Sequence, residues 1–268
     1  MTLRIGMAQM LVLGGRPVEN LARAVGMIQR AAEAGCIAVV LPECLDFGWT
    51  DPSARQGAQP IPGEHSGQLI SAARDYKLWL AAGLVERDGD RLFNTAVLVS
   101  PHGEIVLKHH KVNELALAHD LYSLGTGIAA AATELGRVGL AVCADNYPDS
   151  PEIGGALGRM GCRLLLSPCA WAVDGDHDNA VKPYGKIWRE AYQALTTRFP
   201  MTVIAVSSVG RITGGPWTGR KCVGCSLAYG PGGVVLAEGP ADEEALLVVE
   251  ANVGDEGTSV SPLAASFS

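Results

Sequence analysis

The strongest constraint on this chain is the alternation of short apolar runs with longer stretches of helical periodicity. Strands buried on both faces, each followed by an amphipathic helix, can only end as sheets covered by helices. "LRIGMAQM" reads as a strand. In "PVENLARAVGMIQRAAEAG", Leu21, Val25, Ile28 and Ala32 recur at helical spacing and Gly35 stands just past the end. "CIAVVLPE" then runs unbroken through Ile, Val and Leu, the pattern of a strand with no wet face. The opening unit is β-α-β.

The same grammar continues. "GEHSGQLISAARDYKLW" reads as a helix, and "LAAGLVERDGDRLFNTAVLVSPHGEIVLKHHK" as three strands joined at "RDGD" and "PHGE". "VGLAVC", "CRLLLSPC" and "MTVIAVSSVG" are strands separated by the helices "SPEIGGALGRMG" and "GKIWREAYQALTTRF". "CSLAYGPGGVVLAEG" and "EALLVVEAN" read as strand, turn and strand. A weak repeat relates "AGCIAVVLPE" to "MGCRLLLSPC", which suggests two pseudo-equivalent halves. No Pro, Gly or Ser-rich linker divides them, so residues 1–268 are expected to form one domain, with 251–268 a C-terminal tail that orders against a partner subunit.

Composition removes several classes of function. The net charge of -7 comes from scattered acids, and the basic residues form no run that would grip a phosphate backbone, so nucleic acid is not expected as a partner. No apolar stretch reaches the ~20 residues of a membrane helix, and "MTLRIGMAQM" has no leader pattern, which predicts a cytoplasmic protein with no membrane partner. Seven cysteines, mostly inside apolar strings, suit buried thiols in a reducing compartment. "KCVGC" lacks a second pair, and the six histidines include no HxH or HExxH spacing, so neither a metal nor a cofactor is expected.

The chemistry sits at the ends of apolar runs. A thiol attacks carbonyl carbon only as thiolate, and so needs a base, a stabiliser of negative charge and access to substrate. Cys143 ends "VGLAVC". Glu43 follows "VVLP", where Leu41, Leu45 and Phe47 would desolvate the carboxylate and raise its pKa toward a working base. Lys111 closes "GEIVLKHHK", and its ammonium suits an oxyanion. His109 and His110 also admit a Cys-His hydrolase, although "KHHK" fits a solvated strand end. Phe47, Trp49, Tyr147 and Trp171 follow the same ends and suit either pocket walls or ordinary packing.

Taken together, "IGMAQM", "EAGCIAVVLPE", "DFGW", "LFNTAVLVSPHGEIVLKHHK", "GLAVCADNYPD", "GCRLLLSPCAW" and "VGCSLAYGPGGVVLAE" resemble the nitrilase superfamily, the carbon-nitrogen hydrolases. The resemblance spans the chain to about Glu250. It implies an α/β fold, a four-layer αββα sandwich with two mixed sheets, and it implies Glu43 as general base, Lys111 as oxyanion stabiliser and Cys143 as nucleophile. Ala144 would add a backbone N–H to the oxyanion, and Asn146, Tyr147, Trp171 and Phe47 would contact a small-molecule amide. The implied reaction converts a small carboxamide to acid and ammonia through a thioester. N-carbamoyl amines or nitriles are alternative substrates, a non-catalytic scaffold is an alternative of another class, and pairing into a homodimer or higher oligomer is expected.

Two departures stand out. The family's second glutamate would fall near Ala118, so Glu114 is the first candidate to orient Lys111, with His119 and Asp120 behind it. The segment "CADNYPDS" holds no arginine of the kind that clamps a substrate carboxylate, which leaves Arg211 and Arg220 as distant substitutes. Ala144 also stands where resembling nitrilases carry tryptophan, which ranks nitriles below amides.

Overall fold

A computed structural model describes residues 2–253. The first half holds β1 (Thr2–Gln9), α1 (Pro17–Glu33), β2 (Ala38–Val40), α2 (Ala54–Gly57), α3 (Glu64–Asp75), β3 (Trp79–Asp88), β4 (Arg91–Val99) and β5 (Ile105–His110). The second holds β6 (Ala130–Thr133), β7 (Gly136–Leu140), α4 (Pro151–Arg159), β8 (Leu164–Cys169), β9 (Ala172–Val173), α5 (Lys186–Arg198), β10 (Thr202–Ser207), β11 (Val209–Arg211), β12 (Lys221–Val223), β13 (Leu227–Gly230), β14 (Val234–Glu238) and β15 (Ala245–Asn252).

Two six-stranded mixed sheets result, ordered β15-β1-β2-β3-β4-β5 and β14-β13-β10-β8-β7-β6. Each has three parallel strands at its centre, β1-β2-β3 in one and β7-β8-β10 in the other, flanked by antiparallel neighbours. The two copies of the weak repeat are therefore β2 and β8, each the middle parallel strand of its sheet.

Period-two alternation explains the layering. Leu3, Ile5, Met7, Val40, Ala81 and Leu98 point from the first sheet into one core shared with Val138, Leu140, Leu166 and Val203 of the second. Their neighbours Ala8, Val39, Leu80, Ala82 and Val97 face the other way and pack on Leu21, Ala24 and Ile28 of α1 and Leu69 and Ala73 of α3. Leu157 of α4 and Trp188 and Tyr192 of α5 close the far side of the second sheet. The order is helix, sheet, sheet, helix, as expected. Each fully buried Leu or Ile contributes roughly 1.5–3 kcal/mol of transfer free energy to this stack.

Three local readings are corrected. β2 stops at Val40 and β7 at Leu140, so Glu43 and Cys143 lie on turns beyond their strands rather than on the strand ends. A small sheet, β11-β12-β9, has no counterpart in the sequence reading because its strands have two or three residues each and show no periodicity. The tail does not start at 251: Ala251 and Asn252 pair with Leu3 and Thr2 in the last strand. The rest of the expected tail, with its ordering against a partner, lies outside the described residues. Among those described, no helix is long and apolar enough to cross a membrane.

Candidate active site

Glu43 is set by the parallel strands beneath it. Gly83 N–H donates to the Pro42 carbonyl at 3.0 Å, and Glu43 N–H donates to the Cys169 carbonyl at 3.2 Å. The second bond joins the ends of β2 and β8 across the two sheets. Gly83 is required there because a Cβ would stand 2.6 Å from Glu43 Cα and 2.9 Å from the Pro42 oxygen, both backbone atoms.

Lys111 follows β5, and its N–H donates to the Asn94 carbonyl of β4 at 2.9 Å. Its ammonium Nζ donates to Glu43 Oε1 at 2.8 Å and to Glu114 Oε1 at 2.9 Å. Asn94 Nδ2 bridges the same two carboxyl groups, at 2.6 Å to Glu43 and 2.9 Å to Glu114. Lysine and amide thus close a ring with two acids in which no member is more than 5% exposed. Burial pushes the Glu43 carboxyl above its usual range, and Lys111 and Asn94 oppose the rise. Burial alone would lower the lysine, but Glu114 and Glu43 outweigh it and hold Lys111 well above its ordinary value, as an ammonium.

Cys143 opens a 3-10 turn, Cys143–Asn146, with φ of 45°, a left-handed conformation uncommon for a residue with a side chain. Asp145 holds the turn. Its Oδ2 accepts from Val142 N–H at 2.8 Å, and its Oδ1 accepts from the N–H groups of Val112 at 3.0 Å and Asn113 at 2.7 Å. His109 Nε2 lies 2.8 Å from Oδ2. One buried carboxylate therefore grips the residue before Cys143 and the residue after Lys111. Burial would raise it, yet His109 and the backbone N–H groups hold the Asp145 carboxyl below the usual range. The Cys143 thiol moves the opposite way, well above its ordinary value, through its hydrogen bond with Cys169, burial and the Glu43 charge, against Lys111.

Glu43, Lys111 and Cys143 line one narrow cleft of about 30 Å3, with Ala144, Tyr147 and Trp171 among its walls. Glu114 lies behind Lys111, while His119 reaches only the Glu114 backbone oxygen, at 3.1 Å, and Ala118 packs with Cys44 and Phe47. Two expected contacts are corrected. Phe47 packs against His65, ring centroids 5.4 Å apart, and does not line the cleft. Asn146 turns away, its Nδ2 donating to Ser167 Oγ at 3.0 Å beside the groove between α4 and α5. Neither turn has a repeating period, so spacing could not tell which way these side chains point. Arg211 and Arg220 are also absent from the lining, and Arg220 is held by Asp174 at 2.8 Å.

Sequence reasoning missed Asn94, the His109–Asp145 pair, and Tyr184, Trp188 and Trp217 in the cleft wall. The only sequence signal for Asn94 is the polar pair Asn94–Thr95 inside the apolar strand "LFNTAVLV". His109 is buried, not the solvated strand end expected of "KHHK". The "KCVGC" thiols are core residues, with burial pushing both Cys222 and Cys225 up to about 11.

Comparison with known proteins adds a lineage to this geometry. Residues 4–258 match the family described as carbon-nitrogen hydrolase. A protein named nitrilase from Pyrococcus abyssi is 30% identical over 240 residues, covering 87% of this chain and 84% of its own length. Omega-amidase NIT2 of Xenopus tropicalis is 29% identical, over 63% of each chain, so less than two thirds of that relative is spanned. Among solved structures, a mutant amidase from Nesterenkonia sp. AN1, in which acrylamide has added to the active-site cysteine, superposes with a TM-score of 0.78 at 25% identity over 92% of both chains. The fold described above is the fold of these nitrilase-superfamily amidases.

Proposed function

Because this chain belongs to the carbon-nitrogen hydrolase family of the nitrilase superfamily, we propose that it hydrolyses the C–N bond of a small carboxamide through a thioester on Cys143. The observation that carries this reading is the convergence on one cleft of a thiol, a buried carboxyl group and an ammonium from three separated segments.

At rest the proton sits on sulfur, because the hydrogen bond with Cys169, burial and the Glu43 charge hold the Cys143 thiol well above its ordinary value. Glu43 takes that proton as the sulfur attacks the amide carbon, so thiolate forms only when substrate is in place. Negative charge builds on the carbonyl oxygen, toward Lys111 Nζ and the Ala144 N–H. Lys111 is held as ammonium and cannot serve as the base; it stabilises this oxygen while staying charged. Glu43 returns the proton to the leaving nitrogen, the C–N bond breaks and ammonia departs. Glu43 then activates a water that attacks the thioester, releasing carboxylic acid and restoring the thiol. Net, one amide and one water give one acid and one ammonia.

Intact-protein mass spectrometry after incubation with short amides tests the reading. An acyl adduct is expected on Cys143 in the native protein and none in Cys143→Ala, which should also lose turnover. Undiminished turnover by Cys143→Ala would overturn it. The relative named nitrilase favours a second reading, attack of the same thiol on nitrile carbon; acid release from nitriles but not from the matching amides would select it. Self-association is proposed on the family pattern and is checked by sedimentation.

A further inference from the structure

The chemistry of the cleft wall says which acyl group it accepts, on the reading of the site given above. Among the described residues, the lining carries two charged side chains, Glu43 and Lys111, hydrogen-bonded to each other. The rest is Cys143, Leu115, three alanines and aromatic side chains that carry no formal charge. Trp171 and Trp188 stack at 5.0 Å, Tyr147 packs on Trp188 at 4.8 Å, and Trp217 meets Trp49 edge-on at 4.8 Å. The polar tips on one side are turned toward each other: Trp188 Nε1 donates to the Tyr184 hydroxyl at 2.9 Å. The one ammonium is already shared by two carboxyl groups, Glu43 and Glu114. Arg220, a candidate cation named by the sequence, is held by Asp174 and by the face of Trp217, 4.6 Å away, and is not part of the lining.

We infer that the acyl group of the substrate is short and uncharged, and that the cleft rejects amides bearing a second, ionised carboxylate. A carboxylate moved from water into this enclosure would lose its hydration, find no unshared cation and meet the field of Glu43. An apolar acyl chain would instead displace water from aromatic faces, which is favourable without any partner. Aromatic and aliphatic walls in which every polar group outside the Glu43–Lys111 pair is neutral suit an uncharged ligand. This sets the chain apart from a substrate in which the amide and a carboxylate stand at opposite ends of one short molecule.

Two amides of the same shape test this. 4-Methylpentanamide carries an isopropyl group where succinamate, the half-amide of a four-carbon diacid, carries a carboxylate, and the methyl ester of succinamate restores neutrality. At neutral pH the neutral pair should exceed succinamate in kcat/KM by about 100-fold or more, from the uncompensated burial of charge. The ester should recover most of the rate. If succinamate matches or exceeds 4-methylpentanamide, the inference is overturned while the thioester reading stands. If none of the three is hydrolysed or leaves an acyl adduct on Cys143, the reading falls and takes this inference with it.

Discussion

His109 Nε2 lies 2.8 Å from the Oδ2 of Asp145, and both residues are no more than 4% exposed. Through Asp145 this pair fixes the backbone just before Cys143 and just after Lys111, two groups of one cleft. Asp145→Asn should replace an acceptor by an amide that faces N–H donors. The expected result is a loss in kcat of about 100-fold, the scale set by small displacements of reacting groups, with KM changed far less. Steady-state kinetics on protein verified as folded by circular dichroism would check it. A kcat per folded molecule equal to the native value would reduce Asp145 to a stabilising role.

Asn94 donates to two buried carboxyl groups at once. Asn94→Leu keeps the volume and removes both donors, leaving acceptors short of partners at a cost of about 1–3 kcal/mol each. The thermal midpoint should fall. Because the amide helps to hold Glu43 down, its loss should also move the acid limb of kcat/KM to higher pH. An acid limb at the native position would show that Asn94 does not tune Glu43.

The pH dependence of the native protein follows from the same groups. On the proposed mechanism Glu43 must be ionised to act as base, and its folded pKa lies above the ordinary 4.5. Activity should therefore decline as pH falls through a midpoint higher than a free glutamate's, measured as kcat/KM against pH. Asp145 shifts the other way. A carboxyl depressed on folding contributes stability that is fully present above its unfolded pKa of about 3.9 and is lost as pH falls through the lower folded value. Thermal midpoints across the acid range should thus fall less steeply for Asp145→Asn than for the native chain.

Gly83 supports Glu43 from below. Gly83→Ala would place a methyl 2.6 Å from Glu43 Cα, and neither backbone can yield without moving the carboxyl group. Overpacking of this kind costs about 1–3 kcal/mol. The variant should melt earlier and lose most of its turnover even where it remains folded, as differential scanning fluorimetry and an amide assay would show. Native turnover would mean that the sheet absorbs the methyl.

Much of the architecture is legible along the chain because it depends on neighbours in sequence. The stripe containing Leu21 and Ile28 becomes the buried face of α1, and "RDGD" and "PHGE" mark the turns around β4. The resemblance implies the two-sheet sandwich, and the Gly-Cys repeat marks β2 and β8, which share the central place in their sheets. The short strands β9, β11 and β12 left no such mark. Two or three residues are too few to display a period, and pairing with a distant segment is what makes them strands.

The candidate site divides along the same physical line. Glu43, Lys111 and Cys143 stand out as reactive residues at the close of apolar runs, since burial of a run and the break that follows it are local properties. Their approach is not local: Glu43 reaches Lys111 across 68 positions, and Asp145 reaches His109 across 36. Those bonds exist because two sheets pack through Ile5, Val40, Leu140 and Leu166 and bring the turns that carry Glu43, Lys111 and Cys143 together. The directions of Phe47 and Asn146 were settled there too, by which face of each turn the neighbouring layer left open.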